Sequence, residues 1–176
     1  HPRIVESVRR LCRISQCAAA LDVGCGTGQS TVPLTELARQ VVGVDVSPAM
    51  LGHALQHQRV SYVQAAAEAL PWPDRSFDLL TVGLALHWLD RPRFLREAGR
   101  LLRPAGWLVV YNDSFGGRMA ENPAFAQWFR GQFLPRYPAP ARDSSPLTEA
   151  SLATAGLASP LREDYERATV FSCASL

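Results

Sequence analysis

Five short apolar runs alternate with stretches whose apolar residues recur every three or four positions, and that alternation predicts strands separated by helices. The runs are Ala18 to Val23, Gln40 to Asp45, Val60 to Gln64, Phe77 to Gly83 and Trp107 to Tyr111. Ile4, Val5, Val8, Leu11 and Cys12 share one helical face ahead of the first run. A helix is expected from about Ser30, with Pro33 in its first turn, where a missing amide is tolerated. Ser47-Pro48 reads as another helix start, with Met50, Leu51, Ala54 and Leu55 as its inner face. Over 92–102 the buried face is Phe94, Leu95, Ala98, Leu101 and Leu102. Strands and helices of these lengths imply an α/β, doubly wound, parallel sheet whose right-handed crossovers bring the strand carboxyl ends to one edge. Ligands bind such sheets at that edge.

After the fifth run the pattern changes. Phe125, Trp128, Phe129 and Phe133 fall on one helical face, followed by Pro135, Pro138, Pro140 and Pro146. This reads as an inserted cap or lid and a connection over 113–160, attached to a core at 15–112. A further extended segment is expected at Arg167 to Cys173. With 176 residues and 47% apolar content, the chain is expected to be a single domain, 1–176.

A formal charge of +2, with no basic stripe interleaved with aromatics, gives no reason to expect nucleic acid or a membrane surface as partner. All 18 cations are arginine, which removes lysine Schiff-base and Walker-type mechanisms. No apolar run reaches the ~18 residues of a membrane span, and the start His1-Pro2-Arg3 has no signal core, so a cytoplasmic location is expected. Cys12, Cys17, Cys25 and Cys173 form no CxxC pair and are expected to be reduced thiols. His53 and His57 stand four apart, as metal ligands can, yet no carboxylate or thiol completes a site, and no metal is expected.

The chemistry is concentrated in Leu21-Asp-Val-Gly-Cys-Gly-Thr-Gly28 and Val41-Val-Gly-Val-Asp45. An apolar strand enters a turn carrying Gly24, Gly26 and Gly28, and a second strand ends on an acid 21 residues after Gly24. That arrangement lets a carboxylate meet a ribose hydroxyl pair. Gln29 stands where a dinucleotide site needs its third glycine, which argues against an NAD-dependent oxidoreductase. A simple tight turn, and a helix cap at Asp45, are the bland alternatives.

The string from Leu21 to Gly28 resembles the first motif of class I S-adenosylmethionine-dependent methyltransferases. Ala67-Glu-Ala-Leu-Pro-Trp-Pro-Asp-Arg-Ser-Phe-Asp-Leu-Leu80 is similar to their strand-four motif, and Arg100-Leu-Leu-Arg-Pro-Ala-Gly106 to the turn before strand five. The resemblance spans about residues 15 to 112, is nearest to methyltransferases of the trans-aconitate type, and implies a Rossmann-like, mostly parallel sheet of seven strands, the last antiparallel. Only five strands and a candidate sixth are legible, so carboxyl-terminal strands are expected to be missing.

The resemblance implies S-adenosylmethionine as cofactor, S-adenosylhomocysteine as product, and a small-molecule acceptor, such as a carboxylic acid, that takes the methyl group by direct in-line displacement. Asp22, Gly24, Cys25, Gly26 and Gly28 would border the methionine portion, Asp45 the ribose, and Val46, Met50, Ala67 and Glu68 the adenine, with Gly83 at the end of strand four. Ala66 stands where related sequences often carry an acid for the adenine amino group. His87 could hold an acidic acceptor or act as a base, or merely orient its loop. Trp88 would pack or stack beside it. Arg118 could bind an acceptor carboxylate, as could Arg130, Arg136 or Arg142, unless they are ordinary surface arginines. Alternative readings are a C-methyltransferase of a quinone or lipid precursor, and a truncated or degenerate cofactor-binding core without activity. The Pro104-Ala105-Gly106 turn is expected to be of type I, without positive φ. Oligomeric state is not legible.

Overall fold

Alternation of side chains along the central strands decides the layering. The computed structural model describes residues 2–113, 118–119, 122–138, 143 and 145–165. Strand β1 (Cys17–Val23) sends Ala20 to one face and Leu21 and Val23 to the other, and β4 (Phe77–Gly83) does the same with Leu79 against Leu80 and Val82. Buried on both faces, these strands sit at the centre of a five-stranded, all-parallel sheet. With β2 (Ala38–Asp45), β3 (Val60–Gln64) and β5 (Leu102–Tyr111), the order is β3-β2-β1-β4-β5. Strand order reverses between β1 and β4, where such folds open a ligand crevice.

Helix α1 (Pro2–Cys12) covers the first face with Ile4, Val5 and Val8, joined by Leu34 and Leu37. On the second face lies α3 (Arg91–Leu101), capped by Asp90, whose carboxylate accepts the Arg93 amide at 3.2 Å. It buries Phe94, Leu95, Ala98 and Leu101, and α6 (Glu149–Thr154) packs beside it, placing Leu152 in the same core. The 149–154 stretch of the expected cap region thus contributes to the core. Within the rest of the cap region, 125–136 form one helical run: α4 (Phe125–Trp128), a π-turn at Phe129–Phe133, and α5 (Leu134–Arg136). Phe125 stacks on Phe129 and Phe129 on Phe133, the aromatic face expected there. The segment Arg167 to Cys173 lies outside the described residues.

Three local expectations are corrected. The helix expected from Ser30 is a five-residue 3-10 turn, Val32–Glu36, because the Ser30 and Thr31 hydroxyls turn down onto Asp22 instead of facing outward along a helix. The helix after Ser47 is only α2 (Pro48–Leu51): the Leu55 amide donates to the Thr27 carbonyl at 3.0 Å, which draws the chain toward the glycine loop. His53 and His57 therefore share no helix, and Met50 and Leu55, expected inside, are exposed. Ala105 has φ +63°, not a type I turn value, because β5 starts early at Leu102 and its register breaks between Phe77 and Leu79. A left-handed alanine is strained, so Ala105→Gly is expected to raise stability by about 0.5–1 kcal/mol in urea unfolding. No change would mean the turn relaxes freely around either residue.

Candidate functional site

The loops at the carboxyl ends of β1, β2, β3 and β4 converge on the crevice. Gly24, Gly26 and Gly28 have φ of +68°, +54° and +77°, so the turn after β1 is left-handed at alternate residues. A side chain at Gly28 would run into the Tyr62 hydroxyl oxygen at 2.0 Å, whereas one at Gly26 would meet only the Met50 methyl, at 3.2 Å. The turn is therefore packed from below at Gly28 and open above Gly26. Asp45 ends β2 and ties the two motifs together: its Oδ2 accepts the Gly26 amide and its Oδ1 the Ser47 amide, each at 2.9 Å. The Ser47 hydroxyl in turn accepts the Met50 amide at 3.3 Å. Ser47 is thus the cap of the following helix, and Asp45 holds the amide of that capping residue as well as the glycine turn.

Asp22 lies under this turn, fully buried. Its carboxylate accepts the hydroxyls of Ser30, Thr31 and Thr81, all at 2.7 Å. Burial raises its pKa, and the three hydroxyl donors oppose the rise. A carboxyl with a folded pKa above its unfolded value takes up its proton first in the folded state. Its contribution to stability is fully present below the unfolded value of 3.8 and is lost as pH rises through the folded pKa. The stability of wild type relative to Asp22→Asn should therefore grow on going from neutral pH to about pH 4, measured by denaturant unfolding. A difference that stays flat would show that Asp22 binds its proton equally in both states.

The loop partners occupy the rim. Val46 and Met50 are exposed, Ala67 is buried, and Glu68 Oε1 accepts the Asp90 amide at 2.9 Å, joining the loop after β3 to the loop after β4. Gly83 ends β4, and the backbone then turns left-handed at Leu84, φ +57°. His87 and Trp88 follow on a short 3-10 turn, Leu86–Trp88, with ring centroids 4.8 Å apart and Trp88 exposed. Arg118 is exposed on the chain after β5; Arg130 and Arg136 lie on the cap helix; Arg142 is outside the described residues. Cys25 is buried within the turn, its thiol pushed up to about 12 by burial first and then by Asp22 and Asp45, so it is no nucleophile at neutral pH.

Sequence reasoning missed the support beneath the turn. Tyr62 from β3 lies over Gly43 of β2, and Tyr111 from β5 over Gly83 of β4, in each case where a side chain at the glycine would overlap the ring. A glycine inside a strand was the available signal, since it marks a close approach. No group of three or more metal-ligating side chains occurs among the described residues, nor any helix long and apolar enough to cross a membrane.

Comparison with known proteins bears on this geometry. The profile of a family described as "Methyltransferase domain" matches residues 21–110, which hold the carboxyl ends of β1, β2, β3 and β4. An uncharacterized methyltransferase of Mycobacterium bovis is 36% identical over 133 residues, 73% of this chain and 51% of its own length. A demethylmenaquinone methyltransferase of Bacillus licheniformis is 32% identical, over 65% of this chain and 53% of its own. A solved type II methyltransferase structure from Anaeromyxobacter dehalogenans superposes with a TM-score of 0.68 at 30% identity, covering 78% of this chain and 59% of that one. The chain spans about half the length, or less, of the curated relatives it matches.

Proposed function

Since the chain belongs to the methyltransferase domain family, the class I S-adenosylmethionine-dependent methyltransferases, we propose that it transfers a methyl group from S-adenosylmethionine to a small-molecule acceptor. The observation that carries this reading is the Asp45 carboxylate, 2.9 Å from the Gly26 amide at the mouth of the β1–β4 crevice. A carboxylate there would serve as the ribose acceptor, beside a glycine turn that is open above Gly26.

The residues fit the cofactor. The turn offers backbone without side chains at Gly24, Gly26 and Gly28, and only the Met50 methyl stands near the space above Gly26. Asp45 would accept the ribose hydroxyls, Val46, Met50 and Ala67 would flank the adenine, Glu68 and Gly83 would close the sides, and Cys25 would contribute backbone. Asp22, held by three hydroxyls, fixes the turn from beneath as a positioning residue.

Bound S-adenosylmethionine supplies a methyl carbon on a positively charged sulfur that leaves readily. The remaining task of the chain is alignment: the acceptor atom must sit in line at near-attack distance with water displaced. An oxygen acceptor gains the methyl and gives up its proton to water or to His87. A carbon acceptor needs a base to take the proton, and His87, on the short turn after β4, is the candidate.

Calorimetric titration with S-adenosylmethionine, S-adenosylhomocysteine and NAD tests the reading. Binding of the first two on the order of micromolar, and not of NAD, is expected. No binding by folded protein would overturn the cofactor assignment, whereas binding without methyl transfer to any acceptor would leave a cofactor-binding core.

A further inference from the structure

The loops at the carboxyl edge, 24–30, 45–51, 64–70 and 83–90, hold three carboxylates, Asp45, Glu68 and Asp90, and no arginine or lysine. The large apolar side chains they expose are Val46 at 63%, Met50 at 45%, Leu84 at 45% and Trp88 at 57% exposure. An edge of that composition suits a positively charged sulfonium. It repels a carboxylate and, apart from His87, gives it no basic side chain to pair with.

Leu84 is the informative residue. Its φ of +57° is one that glycine or asparagine adopts readily and a leucine only under constraint. Both sides of the constraint are visible: the Leu84 amide donates to the Tyr111 carbonyl at 3.0 Å, and the Ala85 methyl lies where a side chain at Gly24 would be, 2.5 Å away. The loop after β4 is thereby locked against the glycine turn. Strain retained at a ligand crevice indicates that the side chain it presents is used there. Trp88 stands four residues on, its indole offering a flat apolar surface with one polar edge.

Resting on the methyltransferase reading above, we propose that Leu84 and Trp88 form the acceptor wall and select an uncharged acceptor with an aromatic or alkyl face over a free carboxylate. The occupant follows from charge and continuity: the wall adjoins the cofactor crevice, and its rim is acidic. Arg118, exposed on the segment after β5, is the cation a carboxylate acceptor would need instead.

The test uses two probes of one shape, 2-naphthol and 2-naphthoate, titrated into the protein saturated with S-adenosylhomocysteine. 2-Naphthol is expected to bind at least about tenfold more tightly than 2-naphthoate. Leu84→Gly should weaken 2-naphthol by about tenfold, with S-adenosylhomocysteine affinity changed less than about twofold and a melting temperature equal to or above wild type. Leu84→Asn, also at ease in this backbone, should behave likewise, and Trp88→Ala should weaken 2-naphthol without altering the charge preference. Equal or tighter binding of 2-naphthoate, especially if lost in Arg118→Ala, would overturn the proposal, as would undiminished 2-naphthol binding in both Leu84 variants. If S-adenosylhomocysteine itself fails to bind, the cofactor reading falls and this inference with it; if it binds without the naphthol preference, only this inference falls.

Discussion

Asp45→Ala should weaken S-adenosylhomocysteine binding by about 1–3 kcal/mol, roughly five- to 150-fold, as a buried hydrogen-bonding partner is lost. The carboxylate does two jobs whose losses can be separated. Toward the ligand it would accept ribose hydroxyls; toward the protein it accepts the amides of Gly26 and Ser47. Loss of the second job costs on the order of 1 kcal/mol of stability, as for other capping side chains, whether or not a ligand is present. Asp45→Asn keeps one carbonyl oxygen for the Ser47 or the Gly26 amide and cannot accept on its amide side, so it should retain more stability than alanine while still losing affinity. Calorimetry and urea unfolding on the two variants distinguish the roles. Unchanged affinity with reduced stability would leave Asp45 as a structural tie between the Gly26 and Ser47 amides alone.

Gly28→Ala carries the largest expected stability loss, about 2–5 kcal/mol, from two separate sources. The backbone at φ +77° is unfavourable for any residue with a Cβ, and that Cβ would lie 2.0 Å from the Tyr62 hydroxyl oxygen and 2.8 Å from its ring carbon. Tyr62 is not free to withdraw, because its hydroxyl donates to the Leu55 carbonyl at 2.8 Å. Tyr62→Phe removes the nearest colliding atom, so the double variant should recover part of the loss, leaving the backbone component. A double-mutant cycle with zero coupling would show that the turn moves away from Tyr62 instead of colliding with it.

The sheet was legible because short, mostly apolar runs such as Leu79 to Val82 have the length and flanking turn residues of strands buried on both faces. Asp45 and the glycine turn were legible because the family resemblance ties both to a residue type and a spacing, and the Asp45 carboxylate meets the Gly26 amide. Less accessible were features decided by tertiary contacts. Ser30 and Thr31 carry helical spacing in the sequence, but a buried carboxylate eight and nine residues earlier claims their hydroxyls. Met50 and Leu55 obey an amphipathic pattern, yet their helix is cut short by a bond to the glycine turn. Ala105 shows why residue type alone misjudges a turn: the strand register on either side set its φ. His87 and Trp88 were expected from the resemblance and Arg118 from its place after the fifth run, and the surroundings of all three are set by loops without periodicity.

The bond from the Asp90 amide to Glu68 Oε1 links the loop that would border adenine to the loop that would hold the acceptor. Two ligands touching opposite ends of one hydrogen bond cannot bind independently if either one displaces it. Thermodynamic linkage then makes the coupling reciprocal: whatever factor the cofactor adds to acceptor affinity, the acceptor returns to the cofactor. Glu68→Gln, which keeps a carbonyl acceptor, should preserve that factor, and Glu68→Ala should bring it toward unity, turning an ordered pair of binding events into two separate ones.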